Sequence, residues 1–229
     1  MNNSKNDYIR LSPSTLNLFL ECKRCFWLQV NKGIHRPTSP FSSLPGGMDG
    51  VIKKYFDKYR LLNTLPPEIK GKVVGSLMTE LELLNQWRNW YTGLKYIDST
   101  RKGILIGALD DCLKDGKYYI PVDYKTRGYP PSQNSSEEYY QHQLNCYTFL
   151  LKQNGYPVKN FAYLIYYYPR QVKENGIVEF NVEPIRIKTY PEQAKKVFEQ
   201  ALDLLKGDLP EKHSKCSYCN WAGDVSGFE

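Results

Sequence analysis

The sequence predicts an α/β fold in which helices flank a central mixed β-sheet. Three observations predict it: segments with apolar residues at helical spacing, an Asp-Gly hairpin signal, and two runs rich in β-branched and aromatic residues at 161–169 and 176–189. Along the chain the order is helices, hairpin, helix, strands and helix, which favours one unit that carries a helical insertion. A single domain over residues 1–229 suits this length.

The N-terminal half is predicted to be mainly helical. Helices are expected at residues 11–30, 48–62 and 77–91. Ser12 is a suitable N-cap for the first helix, and Pro13 fits its first position. A loop rich in Pro, Ser and Gly separates the first two helices at 35–47. Residues 53–102 contain the expected helical insertion.

The C-terminal half is predicted to hold the sheet. Residues 104–124 are interpreted as two strands joined by a turn at the Asp-Gly pair. The following helix begins with a capping box of Ser135 and Glu138 and ends at Gly155. After the two strand-like runs, a last amphipathic helix covers 191–207.

The composition is that of a globular protein with a moderate basic excess. The chain has 31 Lys and Arg against 24 Asp and Glu, a net charge of +7, which favours a polyanionic partner. Lys53, Lys54, Lys58 and Arg60 would make either a phosphate-binding face or a solvated one. No run approaches the roughly 20 apolar residues needed to span a bilayer. The first ten residues are too polar for a secretory signal, so we expect a cytoplasmic protein without membrane contact.

Charged residues interrupt the apolar strands of the predicted hairpin. With the turn at the Asp-Gly pair, Asp110 lies opposite Pro121. Strand alternation then places Asp110, Asp123 and Lys125 on one face, while Asp111 points to the other. Two carboxylates beside an ammonium suit a hard divalent cation such as Mg²⁺, which can stabilise charge that develops on a phosphate. A surface ion pair on a wet sheet face is the alternative that the hairpin alone leaves open.

Four motifs occur in the order of a known nuclease family. They are "SPSTLNLFLECKRCFWL" near the N-terminus, "GALD" before the hairpin turn, "VDYKT" after it, and Gln143 with Tyr147 in the next helix. With these motifs the chain resembles the PD-(D/E)XK nuclease superfamily, and within it the RecB-like branch. The resemblance covers nearly the whole chain and is weakest over residues 53–102.

The resemblance implies a restriction-endonuclease-like core and a set of site residues. Asp110, Asp123 and the main-chain carbonyl of Tyr124 would be ligands of Mg²⁺ or Mn²⁺. Lys125 would be the catalytic lysine. The implied catalytic residues are Asp110, Asp123, Lys125, Gln143 and Tyr147.

The chain departs from the branch in its early helix. The branch usually carries a histidine or acidic metal ligand in an early helix, and this chain has no histidine there. Asp49 or Asp57 would substitute, and we favour Asp49. A helix N-cap or first-turn acid is the other interpretation of Asp49.

Two Cys-x-x-Cys pairs point to a second metal centre, which would join the chain termini. In a reducing compartment such pairs favour metal binding over disulfides. The resemblance extends to the CRISPR-adaptation and AddB-type nucleases, which carry a four-cysteine iron–sulfur cluster. Four thiolates bind a four-iron four-sulfur cluster, which we favour here, or Zn²⁺. The four cysteines are Cys22, Cys25, Cys216 and Cys219, within residues 22–25 and 216–219.

The resemblance implies a Mg²⁺- or Mn²⁺-dependent deoxyribonuclease, and it favours an exonuclease over an endonuclease. Its substrates would be single-stranded DNA or duplex ends, bound largely without sequence preference. Its partners would be proteins of recombination, DNA repair or CRISPR adaptation. One alternative is a catalytically inactive nuclease fold that binds DNA or a partner protein. A second is a redox-sensing DNA protein in which the cysteine centre carries the function.

Overall fold

The computed structural model describes residues 8–37 and 43–225. The helices formed by these residues are α1 (Pro13–Glu21), α2 (Lys23–Lys32), α3 (Ser43–Leu61), α4 (Leu81–Arg88), α5 (Gln133–Gln153), α6 (Pro191–Leu205) and α7 (Ser217–Val225). The strands are β1 (Ile9–Leu11), β2 (Ser76–Leu77), β3 (Leu94–Asp98), β4 (Gly103–Gly107), β5 (Asp111–Asp115), β6 (Tyr118–Thr126), β7 (Phe161–Val172) and β8 (Val178–Lys188). The middle of the predicted loop, residues 38–42, lies outside the described residues.

The larger sheet has five strands in the order β2-β5-β6-β7-β8. Strands β6 and β7 are parallel and are connected through α5, whereas the other neighbours are antiparallel. Helix α3 packs on one face, where Phe56 contacts Tyr124 with ring centroids 4.8 Å apart. Helices α5 and α6 belong to the core on the other face, which includes Phe149, Leu164 and Phe198. The predicted mixed sheet flanked by helices is therefore confirmed.

A smaller sheet has the order β1-β4-β3, with β1 parallel to β4. The chain leaves this sheet at Gly107 and enters the larger one at Asp111, so the continuous strand predicted from residue 104 is wrong. The Leu109 amide bonds to the Trp87 carbonyl at 2.9 Å instead of to a neighbouring strand. Gly107 packs so closely on α5 that an added Cβ would lie 2.6 Å from the Leu150 side chain. This break places Asp110 at the junction of the two sheets.

The first predicted helix is divided into α1 and α2. Ser12 caps α1 and Pro13 opens it, as predicted. The helix ends at Cys22, which has extended backbone angles (φ −158°, ψ 106°) and serves as the N-cap of α2. The single helix predicted over 11–30 is therefore wrong.

The next two helices also have different bounds. Helix α3, as described, begins at Ser43, within the predicted loop, and Pro45 is tolerated in its first turn because no amide bond is lost there. Of the helix predicted over 77–91, only α4 is helical, and Leu77 belongs to β2. Residues 53–102 thus contain strands β2 and β3 in addition to helical segments.

The C-terminal elements follow the prediction closely. Strands β7 and β8 and helix α6 lie where the sequence predicts them. The N-cap of α5 is Ser132, whose hydroxyl accepts from the Ser135 amide at 3.3 Å, so the predicted capping box of Ser135 and Glu138 is wrong. Gly155 ends the helix with φ +83°, as predicted. In the described part of the chain, every helix is too short or too polar to cross a bilayer.

Candidate active site and cysteine centre

The β5–β6 hairpin positions the predicted acidic residues. Its two-residue turn is Gly116-Lys117, one residue later than predicted, so Pro121 lies opposite Cys112 and not opposite Asp110. The residue opposite Pro121 is therefore two positions further along the chain than predicted. A shift of two leaves each side chain on its predicted face, because side chains alternate with period two.

Asp110 lies just before β5, and each of its two carboxylate oxygens has a donor nearby. Lys53 of α3 places its Nζ 2.7 Å from Asp110 Oδ1. The Tyr124 backbone amide donates to Asp110 Oδ2 at 3.3 Å. Asp110 is thereby tied to strand β6 directly beside Asp123.

Asp123 is almost completely buried, with 1% of its surface exposed. Lys125 Nζ lies 2.5 Å from its Oδ2, and Gln143 Nε2 donates to its Oδ1 at 3.0 Å. Burial raises the pKa of Asp123 to about 7, the Lys125 charge opposes this rise, and the Asp110 charge adds to it. The two carboxylates are therefore close enough to repel each other when both are ionised.

Lys125 keeps its charge in this setting. Burial alone would lower the pKa of Lys125, but the carboxylates of Asp123 and Asp110 outweigh it, so the pKa is raised. The ammonium also lies 4.6 Å from the centre of the Tyr140 ring. A protonated amine that is held at this position can stabilise negative charge on a substrate.

Gln143 connects the lysine and the acid from helix α5. Its Oε1 accepts from Lys125 Nζ at 3.3 Å, while its Nε2 donates to both Asp123 and the Tyr147 hydroxyl, the latter at 2.8 Å. Tyr147 is one helical turn further along and is buried. The structure thus brings together all five predicted catalytic residues.

Asp111 has a different environment from Asp110. It is fully buried and forms an ion pair with Arg60 at 2.6 Å and another with Arg88 at 3.3 Å. The Tyr124 hydroxyl also donates to it at 2.6 Å, so the Tyr124 side chain points away from Asp110. Asp111 is consequently a structural acid under the sheet.

The early helix contributes residues that sequence reasoning did not assign correctly. Of the basic group predicted on α3, Lys53 and Arg60 pair with Asp110 and Asp111, and Lys54 and Lys58 are exposed, so the four do not form one phosphate-binding or solvated face. Asp57 pairs with Arg60 and Arg88, away from the site. The local Asp57–Arg60 spacing gives no signal that Arg60 is buried, because its closest acidic partner, Asp111, is 51 residues away in the sequence.

Asp49 lies in α3 well after its start at Ser43, so the N-cap or first-turn interpretation of Asp49 is wrong. Its Oδ2 is 2.8 Å from Lys53 Nζ, one helical turn along. The lysine therefore lies between Asp49 and Asp110. A cation that bound both acids would have to displace this ammonium.

Two observations indicate that the residues around Asp110 and Asp123 fit a hard divalent cation. Asp123 Oδ2 is buried and, among the described residues, receives no hydrogen bond of good geometry, although the Lys125 ammonium is adjacent. Asp110, Asp123 and the Tyr124 carbonyl would supply only oxygen ligands, the type that Mg²⁺ and Mn²⁺ prefer.

The four predicted cysteines form one cluster. Their Sγ atoms all lie within 4.8 Å of one another, and all four residues are buried. Cys22 and Cys25 come from the start of α2, and Cys216 and Cys219 from the start of α7. The cluster therefore joins the two ends of the described chain.

A comparison with known families agrees with this geometry. The family model of the PD-(D/E)XK nuclease superfamily matches residues 51–223, well over half of the 229-residue chain. The matched segment includes the hairpin with both acids, the helix with Gln143, and the second cysteine pair. This chain belongs to the PD-(D/E)XK nuclease superfamily.

Proposed function

We propose that this protein is a divalent-metal-dependent deoxyribonuclease that hydrolyses phosphodiester bonds. The observation that carries the proposal is the contact set of Asp110, Asp123, Lys125 and Gln143, in which two acids, one amine and one amide lie at the junction of the two sheets. Nucleases of this superfamily generally use divalent metals, which supports the same reaction class.

Each residue has a role in this proposal. Asp110, Asp123 and the Tyr124 carbonyl hold Mg²⁺ or Mn²⁺, with Asp49 as a further ligand. When bound, the ion supplies Lewis acidity toward the scissile phosphate. The Lys125 ammonium is held beside Asp123 by its ion pair, and in this proposal it donates a hydrogen bond to a phosphate oxygen.

Gln143 and Tyr147 position these groups. The Gln143 amide fixes the rotamers of Lys125 and Asp123 at the same time. The buried Tyr147 hydroxyl in turn fixes the orientation of the amide. Such support holds reacting groups in place without loss of entropy at the moment of reaction.

A surface cavity beside the site suits a nucleobase. It has a volume of about 420 Å³, and its lining residues include Gln143, Tyr147 and Trp90. The Trp90 side chain is 76% exposed and can stack on a base of any sequence. This supports single-stranded DNA or duplex ends as substrates, because a base inside an intact duplex is not free to stack.

The RecB-like resemblance supports a role in recombination, repair or CRISPR adaptation, with proteins of those processes as partners. It also favours cleavage from DNA ends over internal cleavage. The net charge of +7 supports binding to backbone phosphates, which would be sensitive to salt.

The test is cleavage of end-labelled single- and double-stranded DNA with Mg²⁺ or Mn²⁺. Asp123→Asn and Lys125→Gln should each reduce the rate by roughly 100-fold or more while the far-ultraviolet circular dichroism stays unchanged. Asp115→Asn is the matched control, because Asp115 lies at the far end of the same hairpin and pairs with Lys159 at the surface. Cleavage that persists in both site variants contradicts the proposal.

A second candidate function is DNA or protein binding without cleavage. The Lys53–Asp110 ion pair favours it, because a fixed ammonium in that position offsets the charge that would attract a metal ion. DNA binding by the wild type that is independent of divalent metal, with no cleavage under any metal tested, is the result that would select this function.

A further inference from the structure

We propose that the four-cysteine centre binds a single Zn²⁺ ion in a tetrahedral thiolate site, and not the four-iron cluster that the family resemblance implies. The proposal rests on the separations of the thiol sulfurs and does not depend on nuclease activity.

The sulfur separations match one four-coordinate ion. Cys22 Sγ lies 3.6 Å from Cys219 Sγ, and Cys25 Sγ lies 3.7 Å from Cys216 Sγ and 3.8 Å from Cys219 Sγ. Four thiolates at a Zn–S distance of about 2.3 Å form a tetrahedron with edges of about 3.8 Å. One zinc ion therefore fits between these sulfurs, and the longest separation has to shorten by no more than about 1 Å.

A four-iron cluster requires a wider arrangement. Each of its four thiolates binds a different iron, so the iron–sulfide body lies between them and their sulfurs stand roughly 6 Å apart. In this structure, all four sulfurs lie within 4.8 Å of one another. Every distance between two of the four sulfurs would have to increase to admit such a cluster, so the site does not fit it.

The local backbone supports a mononuclear site. Within the first pair, the Cys25 amide points at Cys22 Sγ at 3.5 Å, the turn that a Cys-x-x-Cys pair makes around a single ion. Helices α2 and α7 both begin at the sulfurs, and the positive ends of their dipoles favour thiolates.

A basic side chain also compensates the charge of the centre. Four thiolates and one Zn²⁺ carry a net charge of −2. Arg36 places its Nη2 3.7 Å from Cys216 Sγ. Its guanidinium is held in place by Glu21 at 2.7 Å and by the Tyr218 ring, with the guanidinium carbon 4.7 Å from the ring centre.

The proposed role of this ion is structural. All four coordination positions are filled by cysteine, so no position is open for water or substrate. The two members of each contact are 191 to 197 positions apart in the sequence, so the centre ties the start of α2 to α7. Zinc has no redox chemistry of its own, so this assignment excludes iron-based electron transfer at the centre.

The test is the metal content of the whole chain, purified without oxygen from cells supplied with both iron and zinc. Elemental analysis and native mass spectrometry should find about one zinc per chain, with neither iron nor acid-labile sulfide. Purification without oxygen matters because a lost cluster would otherwise imitate this result. Roughly four iron ions with sulfide, one iron without sulfide, or no metal would each overturn the proposal.

Two further measurements assign the ion to these cysteines. Cys25→Ser should lower zinc to a small fraction of one equivalent, whereas Cys146→Ala, which removes a buried cysteine outside the cluster, should retain it. If Cys25→Ser does not fold, titration of the wild type with an organomercurial should release one zinc as about four thiols react. Two results contradict the assignment. One is full zinc retention by Cys25→Ser, and the other is an amount of released zinc that does not rise with the number of thiols that have reacted.

Discussion

Lys53 and Asp110 form an ion pair across 57 positions of sequence, with Nζ 2.7 Å from Oδ1. The same ammonium contacts Asp49 at 2.8 Å, so one positive charge forms ion pairs with two acids of the site. The carboxylates raise the pKa of Lys53 above its usual value even though burial opposes the rise. Lys53 therefore competes directly with any cation that binds Asp110.

The first prediction concerns this competition. Lys53→Gln should tighten the binding of Mn²⁺ by roughly three- to tenfold, because a partly buried charge pair of this type contributes on the order of 1 kcal/mol. Isothermal titration of the protein with Mn²⁺ measures the change. Lys54→Gln is the matched control, since Lys54 is the next residue and is exposed.

The same variant tests Asp49. Removal of Lys53 frees the Asp49 carboxylate, so the gain in affinity should be smaller in Lys53→Gln/Asp49→Asn than in Lys53→Gln alone. Unchanged or weaker Mn²⁺ binding in Lys53→Gln would falsify the competition argument.

The second prediction separates two consecutive acids. Asp111→Ala should lower the free energy of unfolding by about 3–5 kcal/mol, because the buried Arg60 guanidinium loses its closest carboxylate and keeps only the longer contact with Asp57. Asp110→Ala should cost less than about 1 kcal/mol, since its partner Lys53 can reach water. Urea unfolding of both variants measures the difference, and cleavage assays should show the larger loss of activity in Asp110→Ala.

A double variant provides the control for that prediction. Arg60→Met/Asp111→Leu should be more stable than Asp111→Ala, because no buried charge is then left without its partner. Equal stability of Asp110→Ala and Asp111→Ala would contradict the division of roles between the two acids.

Strand alternation predicted the opposite faces of Asp111 and Asp123, whereas Asp110 lies just before β5 and is placed by the break between the two sheets. The predicted turn was one residue too early and the pairing two residues off, yet the faces were correct. The strands β7 and β8 and helix α6 could also be predicted, since their patterns are long and regular.

Long-range contacts could not be predicted in this way. The break between β4 and β5 comes where Gly107 packs closely on α5, and α1 ends at Cys22, which belongs to the cysteine cluster. The charge of Lys53 is visible in the sequence, but its position between two acids is set by how α3 packs on the sheet. Helical periodicity predicts which side of a helix is buried and not which charge it places beside a distant carboxylate.

The third prediction concerns pH. Because burial raises the pKa of Asp123 to about 7, the folded protein without metal binds this proton more tightly than the unfolded chain, in which the group has its ordinary value of 3.8. This group therefore makes the metal-free protein less stable as the pH rises from about 4 to about 7. A divalent ion competes with the same proton, so it should bind more tightly above that range.

Thermal unfolding with and without Mg²⁺ measures this effect. The rise in melting temperature on addition of Mg²⁺ should be larger at about pH 8 than at about pH 6. Asp123→Asn should remove the Mg²⁺-dependent rise at both values. A rise that is equal at the two pH values would show that Asp123 does not exchange a proton for the ion.

The fourth prediction concerns the exposed indole of Trp90. Trp90→Ala should raise the KM for single-stranded DNA by roughly tenfold with little change in kcat, since a stacked base contributes about 1–3 kcal/mol and Trp90 touches none of the reacting groups. Trp221→Ala is the matched control, because Trp221 is 61% exposed and belongs to α7, the helix of the cysteine centre. An abasic nucleotide, moved stepwise along the substrate, should raise the KM of the wild type at one position and leave Trp90→Ala unaffected there. If both proteins respond equally to the abasic nucleotide at every position, the cavity beside Gln143 does not bind a base.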